Sequence, residues 1–115
     1  MRRKDLINRW EVAAFSLLAF VFAGCSVVHN PALERARDAY ERARQDPEVA
    51  GRAAVALDKA RLTLEKAERL WTAEKDTIEV EHIAYIAEKR VEIARVIARR
   101  RLATDEIQQL KSQRE

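Results

Sequence analysis

The stretch "DTIEVEHIAYIAEKRVEIARVIA", residues 76–98, carries the most regular apolar pattern in the chain. Apolar side chains recur there at alternating intervals of four and three residues, which places them along one side of an α-helix, as in the seam of a coiled coil. The members of this seam are Val80, Ala84, Ala87, Val91, Ala94 and Ala98. The stretch therefore predicts a long helix whose alanine-rich side packs against another helix.

The same spacing occurs upstream, which indicates further helices with the same kind of seam. Its members are Leu33, Ala36, Tyr40 and Ala43, and then Ala50, Ala53, Leu57, Ala60, Leu64, Ala67 and Trp71. Asn30-Pro31 and Asp46-Pro47 each combine an N-cap residue with proline at the first helical position. Asp76, with Glu79 three residues later, has the spacing of a capping box. We predict helices over about 31–45, 47–75 and 77–111.

The connections between these helices are very short, so successive helices should run antiparallel. Folding back at residues 75–76 pairs Leu64 with Ala87, and folding back at 46–47 pairs Leu33 with Ala60. Most such pairs match a large side chain with an alanine, which lets facing side chains interdigitate. The predicted fold is all-α: an antiparallel three-helix coiled-coil-like bundle dominated by a long helical hairpin. The chain has only two glycines and two prolines, which also favours long helices.

The N-terminal segment, residues 1–24, has the features of a secretion signal. A basic start is followed by an apolar run of 13 residues, "VAAFSLLAFVFAG" at 12–24, which is the length of a signal-peptide core and short for a bilayer span. The last three residues of this run and the next residue, Phe22-Ala23-Gly24-Cys25, resemble the lipobox of bacterial lipoproteins. The resemblance implies that signal peptidase recognises Phe22, Ala23 and Gly24, and that Cys25 becomes the acylated (diacylglycerol- and palmitate-type) N-terminus. Residues 25–30 would then be the acylated cysteine and a short linker before a helical domain over 31–115.

Two other fates of this segment stay open. Ordinary signal peptidase could cleave after Ala23 and release a soluble periplasmic protein, because small residues suit that cleavage too. An apolar stretch extended through Val28 reaches 17 residues, the lower limit for an uncleaved anchor helix. If the lipid anchor is correct, Ser26 after the cysteine is similar to lipoproteins exported to the periplasmic face of an outer membrane, with the inner membrane as the second choice.

Charge and motif content argue against nucleic-acid binding and catalysis. Residues 25–115 hold 18 basic and 17 acidic side chains, so the mature part is close to neutral. Glu79-x-x-His82 matches half of a di-iron carboxylate motif, but His29 is the only other histidine. The sequence has no glycine-rich phosphate loop and no Ser/His/Asp arrangement. We therefore predict no enzyme activity, no metal, no cofactor and no nucleic-acid partner.

A second group of apolar residues departs from the seam of the third predicted helix. Its members are Ile83, Tyr85, Ile86, Ile93 and Ile97. Two interpretations remain. The group widens the contact within the bundle, or it forms a surface for self-association or for an envelope protein partner.

Taken together, the lipobox, the two Asx-Pro starts, the alanine heptads and "DTIEVEHIAYIAEKRVEIAR" at 76–95 resemble the bacterial envelope family known as domain of unknown function 4398. The resemblance implies a helical periplasmic domain, often followed by an OmpA-like module that binds peptidoglycan, and it supplies no catalytic residues. The expected function is a lipid-anchored structural or interaction module. The alternatives are a soluble periplasmic binding or chaperone-like protein, and the N-terminal part of a longer peptidoglycan-binding lipoprotein.

Overall fold

The computed structural model describes residues 28–73 and 76–115, and this part of the chain is all-helical. Four helices pack together within these described residues: α1 (Pro31–Gln45), α2 (Pro47–Arg52), α3 (Ala54–Ala73) and α4 (Thr77–Arg114). The predicted signal peptide at 1–24 and the first linker residues lie outside the described residues. So do residues 74 and 75, which end the predicted second helix and begin the turn predicted at 75–76. Among the helices that are described, none combines the length and the apolar character needed to cross a bilayer.

Each predicted helix start is confirmed by a side-chain cap. The backbone N–H groups of Ala32 and Leu33 donate to Asn30 Oδ1, and Asn30 is itself buried. Asp46 accepts from the N–H of Glu48 at the start of α2. At the start of α4, Asp76 accepts from the N–H groups of the second and third helical residues. These caps satisfy N–H groups that the first turn of a helix leaves without a partner.

The predicted single helix over 47–75 is wrong, because the chain leaves helical geometry at Ala53. This residue has φ −130° and ψ 35°, and its N–H donates to the carbonyl oxygen of Val49 as the C-cap of α2. Val49 is buried in place of the predicted seam residue Ala50, which is only half-buried. Gly51, a poor helix former, lies within the last turn of α2. The short helix α2 therefore acts as the link between α1 and α3.

Most of the core lies in two clusters of buried side chains, and Val80 of α4 is buried beside them in sequence without belonging to either. The first, the Ala43 cluster, contains Ala43, Val49, Ala53, Leu57, Ala60, Val91, Ala94 and Ala98. The second, the Leu33 cluster, contains Leu33, Ala36, Leu64, Ala67, Ile83, Ala84 and Ala87. Tyr40 is half-buried and packs against both clusters, and Trp71 is half-buried against the Leu33 cluster. All six predicted seam residues of α4 are buried.

The clusters also correct the predicted position of α1. Leu33 was expected beside Ala60, yet it lies in the cluster that holds Leu64 and Ala67. Ala36, expected beside Leu57, lies in the same cluster. The difference follows from α2. Residues 47–52 form this separate linking helix and are not the first turns of α3, so α1 packs against a later part of α3 than predicted. As a result α1 is displaced along α3 by roughly one heptad, or about 10 Å.

Candidate interaction site

The residues predicted to carry the lipid anchor lie outside the described part of the chain. These are Phe22, Ala23, Gly24 and Cys25. What the structure does describe is the start of the bundle, since the capped first turn of α1 begins at Asn30. Only Ser26 to Asn30 separate Cys25 from α1. Five residues span at most about 18 Å, so any group attached to Cys25 stays close to this end of the bundle.

The five predicted surface residues divide into one core residue and four accessible ones. Ile83 is 7% exposed and belongs to the Leu33 cluster, so it contributes to the core. Ile86 and Ile97 are half-buried. Tyr85 and Ile93 are both more than half exposed. The four accessible residues are therefore the part of the group that a partner can contact.

Three of the four accessible residues line a groove between α3 and α4, called here the α3–α4 groove. One stretch of the groove is lined by Ala53, Val55, Ala56, Lys59, Arg90, Ile93, Ile97 and Arg101. The other is lined by Leu62, Thr63, Lys66, Glu79, His82, Ile83, Ile86 and Arg90. Val55 and Leu62 are exposed apolar residues of α3 that face Ile93 and Ile86 of α4 across these stretches. Five of the eight residues that line the first stretch are apolar, whereas five of the eight in the second are polar or charged. Arg90 belongs to both stretches.

Two arginines of α4 reach across the groove and hold it together. Arg90 Nη1 donates to Thr63 Oγ1 at 2.6 Å and to the carbonyl oxygen of Lys59 at 3.4 Å. Arg101 donates to the carbonyl oxygen of Arg52 at the end of α2. Among the described residues that line the stretch from Ala53 to Arg101, the charged groups are all cationic. Sequence analysis missed this basic lining, because the charges alternate in sequence and only the packing of α3 on α4 collects them.

Tyr85 lies beside the groove and takes part in a small polar group on α4. Lys89 Nζ is 5.4 Å from the centroid of the Tyr85 ring, which is within the range of a cation–π contact. The same ammonium donates to both carboxylate oxygens of Glu92, at 2.9 and 3.0 Å. The hydrogen bond to Glu92 raises the pKa of Lys89 above its ordinary value. Tyr85 is therefore an exposed aromatic ring with a cation beside its face.

One ion pair fixes α1 against α3 away from the groove. Arg37 Nε donates to Glu68 Oε1 at 2.7 Å, and Arg37 Nη1 donates to Glu34 on its own helix, also at 2.7 Å. The hydrogen bond to Glu68 raises the pKa of Arg37. Both partners are roughly two-fifths exposed, so this pair contributes to orientation more than to stability.

Glu79 and His82 match half of a di-iron carboxylate motif in sequence. Both line the stretch of the groove that runs from Leu62 to Arg90. Within residues 28–73 and 76–115, no group of three or more His, Cys, Asp or Glu side chains is arranged to hold a metal ion. The groove combines apolar side chains with basic side chains that attract negative charge.

Comparison with known proteins identifies the domain. No curated protein and no solved structure matches the chain. A protein-family model does match, over residues 31–110, and this range begins at the first residue of α1 and ends four residues before the end of α4. The match covers well over half of the chain, so the protein belongs to the family described as domain of unknown function DUF4398.

Proposed function

We propose that this protein is a lipid-anchored interaction module of the bacterial cell envelope without catalytic activity. The observation that carries the proposal is the placement of Cys25. This residue ends a basic and apolar segment with a lipobox-like Ala23-Gly24-Cys25, and it lies five residues before the buried cap Asn30. Two or three acyl chains on one residue anchor a protein stably, whereas one chain binds reversibly. The bundle would then stand within about 18 Å of the membrane, on the periplasmic face of the outer membrane if Ser26 acts as the sorting residue.

The proposal includes an arrangement of the helices, in which α3 and α4 form an antiparallel, coiled-coil-like hairpin and α1 is the third helix. Contacts between distant residues support it. Arg52, just before α3, contacts Asp105 and Arg101 late in α4, whereas Thr63 in mid-α3 contacts Arg90. Moving forward along α3 thus moves backward along α4. The predicted partners Leu57 and Ala94 share one cluster, and Ala67 and Ala84 share the other.

The partner that best suits the α3–α4 groove is an amphipathic helix of an envelope protein with acidic residues beside its apolar face. The groove presents Val55, Leu62 and Ile97 as apolar contacts. Lys59 and Lys66 lie along the same groove and supply positive charge. Helices recognised in this way bury apolar residues at intervals of three and four, and complementary charge speeds their association.

Mass spectrometry of the purified mature protein tests the anchor. The proposal expects an N-terminal Cys25 that carries acyl chains, together with incorporation of labelled palmitate. Cys25→Ser should abolish both and leave a longer, unprocessed chain. A mature protein that begins at Gly24 with a free thiol at Cys25 would instead establish the soluble periplasmic alternative.

Site-specific photo-crosslinking tests the groove. A photoreactive residue at Leu62 should give a discrete adduct in the envelope, and Lys59→Glu with Lys66→Glu should remove that adduct by reversing the charge of the groove. Matched controls are the same photoreactive residue at Asp38, which is exposed on α1 and lines neither stretch of the groove, and the charge reversal Arg35→Glu on α1. An adduct at Leu62 that survives reversal of both lysines would contradict an acidic partner.

A further inference from the structure

The outward side of α4 carries a second apolar stripe that the bundle does not use. This outer stripe consists of Ile93, Val96, Arg100, Ala103, Ile107 and Leu110, and all six residues are exposed. The four large apolar members are each between 44% and 60% exposed. At about 100° of rotation per residue, the centre of the stripe lies roughly 170° around α4 from the buried seam. The stripe therefore faces away from α3 and α1, except at its edge, where Ile93 also lines the α3–α4 groove.

The spacing within the stripe is that of a coiled coil. Ile93, Arg100 and Ile107 repeat every seven residues, and Val96, Ala103 and Leu110 follow each of them by three. These are the a and d positions of a heptad, with isoleucine at two a positions. The stripe continues past Ala98, the last buried residue of the seam, to Leu110. Over this last part the outer stripe is the main apolar feature of the helix.

We propose that the outer stripe pairs with the outer stripe of a second copy of the chain, with the two α4 helices antiparallel. In an antiparallel coiled coil an a residue faces a d residue of the other helix. The register in which residue numbers add up to 203 places Ile93 against Leu110 of the second copy and Val96 against Ile107 of the second copy. The same register places Arg100 against Ala103 of the second copy, where the small side chain leaves room for the arginine stem to reach solvent.

Charge decides between the two directions of pairing. A parallel pair in register would place Arg100 against Arg100 of the second copy, and like charges facing each other in an interface are unfavourable. The antiparallel register replaces this direct contact with an offset of three residues, about 4.5 Å along the helix axis, so the two Arg100 side chains no longer face each other. It also brings Arg99, next to the stripe on one side, opposite Glu106 of the second copy, and by symmetry this ion pair forms twice. Both side chains are exposed, so both are accessible to the second copy. The pairing uses α4 alone and does not depend on the lipid anchor.

Disulfide trapping in the full-length chain distinguishes the possible arrangements. Ile93→Cys and Leu110→Cys are placed in separate, differently sized copies that are expressed together and mildly oxidised. In the antiparallel register residues 93 and 110 face each other, while two copies of residue 93 are about 25 Å apart along the helix axis. A disulfide requires Cα atoms within about 7 Å. We expect the mixed 93–110 disulfide and neither homodimeric disulfide. The unmodified chain, which has Cys25 as its single cysteine, is the control for disulfides through that residue.

Charge reversal provides the second test, with substitutions that leave the core unchanged. Arg99→Glu or Glu106→Arg alone should lower the yield of the mixed disulfide by about 3- to 30-fold, since two ion pairs become two repulsive contacts. The double variant Arg99→Glu/Glu106→Arg should restore it. Arg35→Glu on α1 is the control and should have no effect. Homodimeric 93–93 disulfides would overturn the antiparallel register. The absence of any disulfide, as expected if the stripe lies on a membrane or binds another protein, would overturn self-pairing altogether.

Discussion

The two parts of α4, residues 80–98 and residues 99–114, differ on the inward side of the helix. The first part has a continuous buried apolar seam there and the second does not, whereas the outer stripe runs from Ile93 in the first part into the second. In the first part the seam from Val80 to Ala98 is buried against the rest of the bundle. In the second part the positions that continue the seam are Arg101, Asp105 and Gln108, whereas Ile107 and Leu110 lie on the outward side. The bundle therefore ends where the inward seam becomes polar, and α4 does not end there.

This difference shows that two separate causes keep α4 helical. In the first part the cause is tertiary packing, since the buried seam stabilises the helix at each turn. In the second part the residues are mostly good helix formers. An isolated helix of about 16 residues is nevertheless marginal in water. A second copy on the outer stripe would supply the packing that the bundle does not provide to these turns.

The largest expected difference between the two parts of α4 comes from replacing one isoleucine in each part by alanine. Ile83→Ala should lower the free energy of unfolding by about 2–4 kcal/mol, because it leaves a cavity in the Leu33 cluster. Ile107→Ala, at an exposed position, should change it by less than about 0.5 kcal/mol. Urea denaturation of residues 28–115, which contain both core clusters, measures both values. The protein must be dilute enough to be monomeric, so that only the bundle contributes. Equal effects at the two positions would contradict the division of α4 into two parts.

A smaller effect is expected from enlarging an alanine in each part. Ala94 is fully buried in the Ala43 cluster. Ala94→Leu should destabilise the bundle by about 1–3 kcal/mol, because a well-packed core has no room for three more carbons. Ala103→Leu, on exposed surface, should leave the monomer within about 0.5 kcal/mol of the unmodified chain. The same denaturation measurement applies. A stable Ala94→Leu variant would show that α3 and α4 are not held close by their alanines.

The smallest effect is expected at the junction between the two parts, where Asp105 binds Arg52 of α2. Asp105→Asn should cost no more than about 1 kcal/mol, since both side chains are substantially exposed and solvent screens the pair. A double-mutant cycle with Arg52→Gln isolates the interaction between the two residues. Glu106→Gln, one residue further along, is the control and should have no measurable effect on the monomer. A coupling above about 2 kcal/mol would mean that the junction is part of the core.

Much of the fold could be predicted from the sequence because the signals are local. Asn30, Asp46 and Asp76 cap helices where their side-chain chemistry predicts, and the heptads identify the buried side of α3 and α4. The break at Ala53 could not be predicted in this way, since alanine is the best helix former and only the path from α1 to α3 requires a break there. The displacement of α1 follows from the same break. Of the predicted surface group, Ile83 belongs to the core, where it shares the Leu33 cluster with residues of α1 and α3.

The sequence by itself determined that the described part of the chain is helical, where α1, α2 and α4 begin, and which side of α3 and α4 is buried. It determined these features because caps and heptad spacing act within a few residues of one another. Only the tertiary structure decided how the helices meet: the break at Ala53, the position of α1 over the Leu33 cluster, and the basic lining that Lys59, Arg90 and Arg101 give to the α3–α4 groove. These features depend on contacts between residues about 30 to 50 positions apart in the chain, and no local pattern records such contacts.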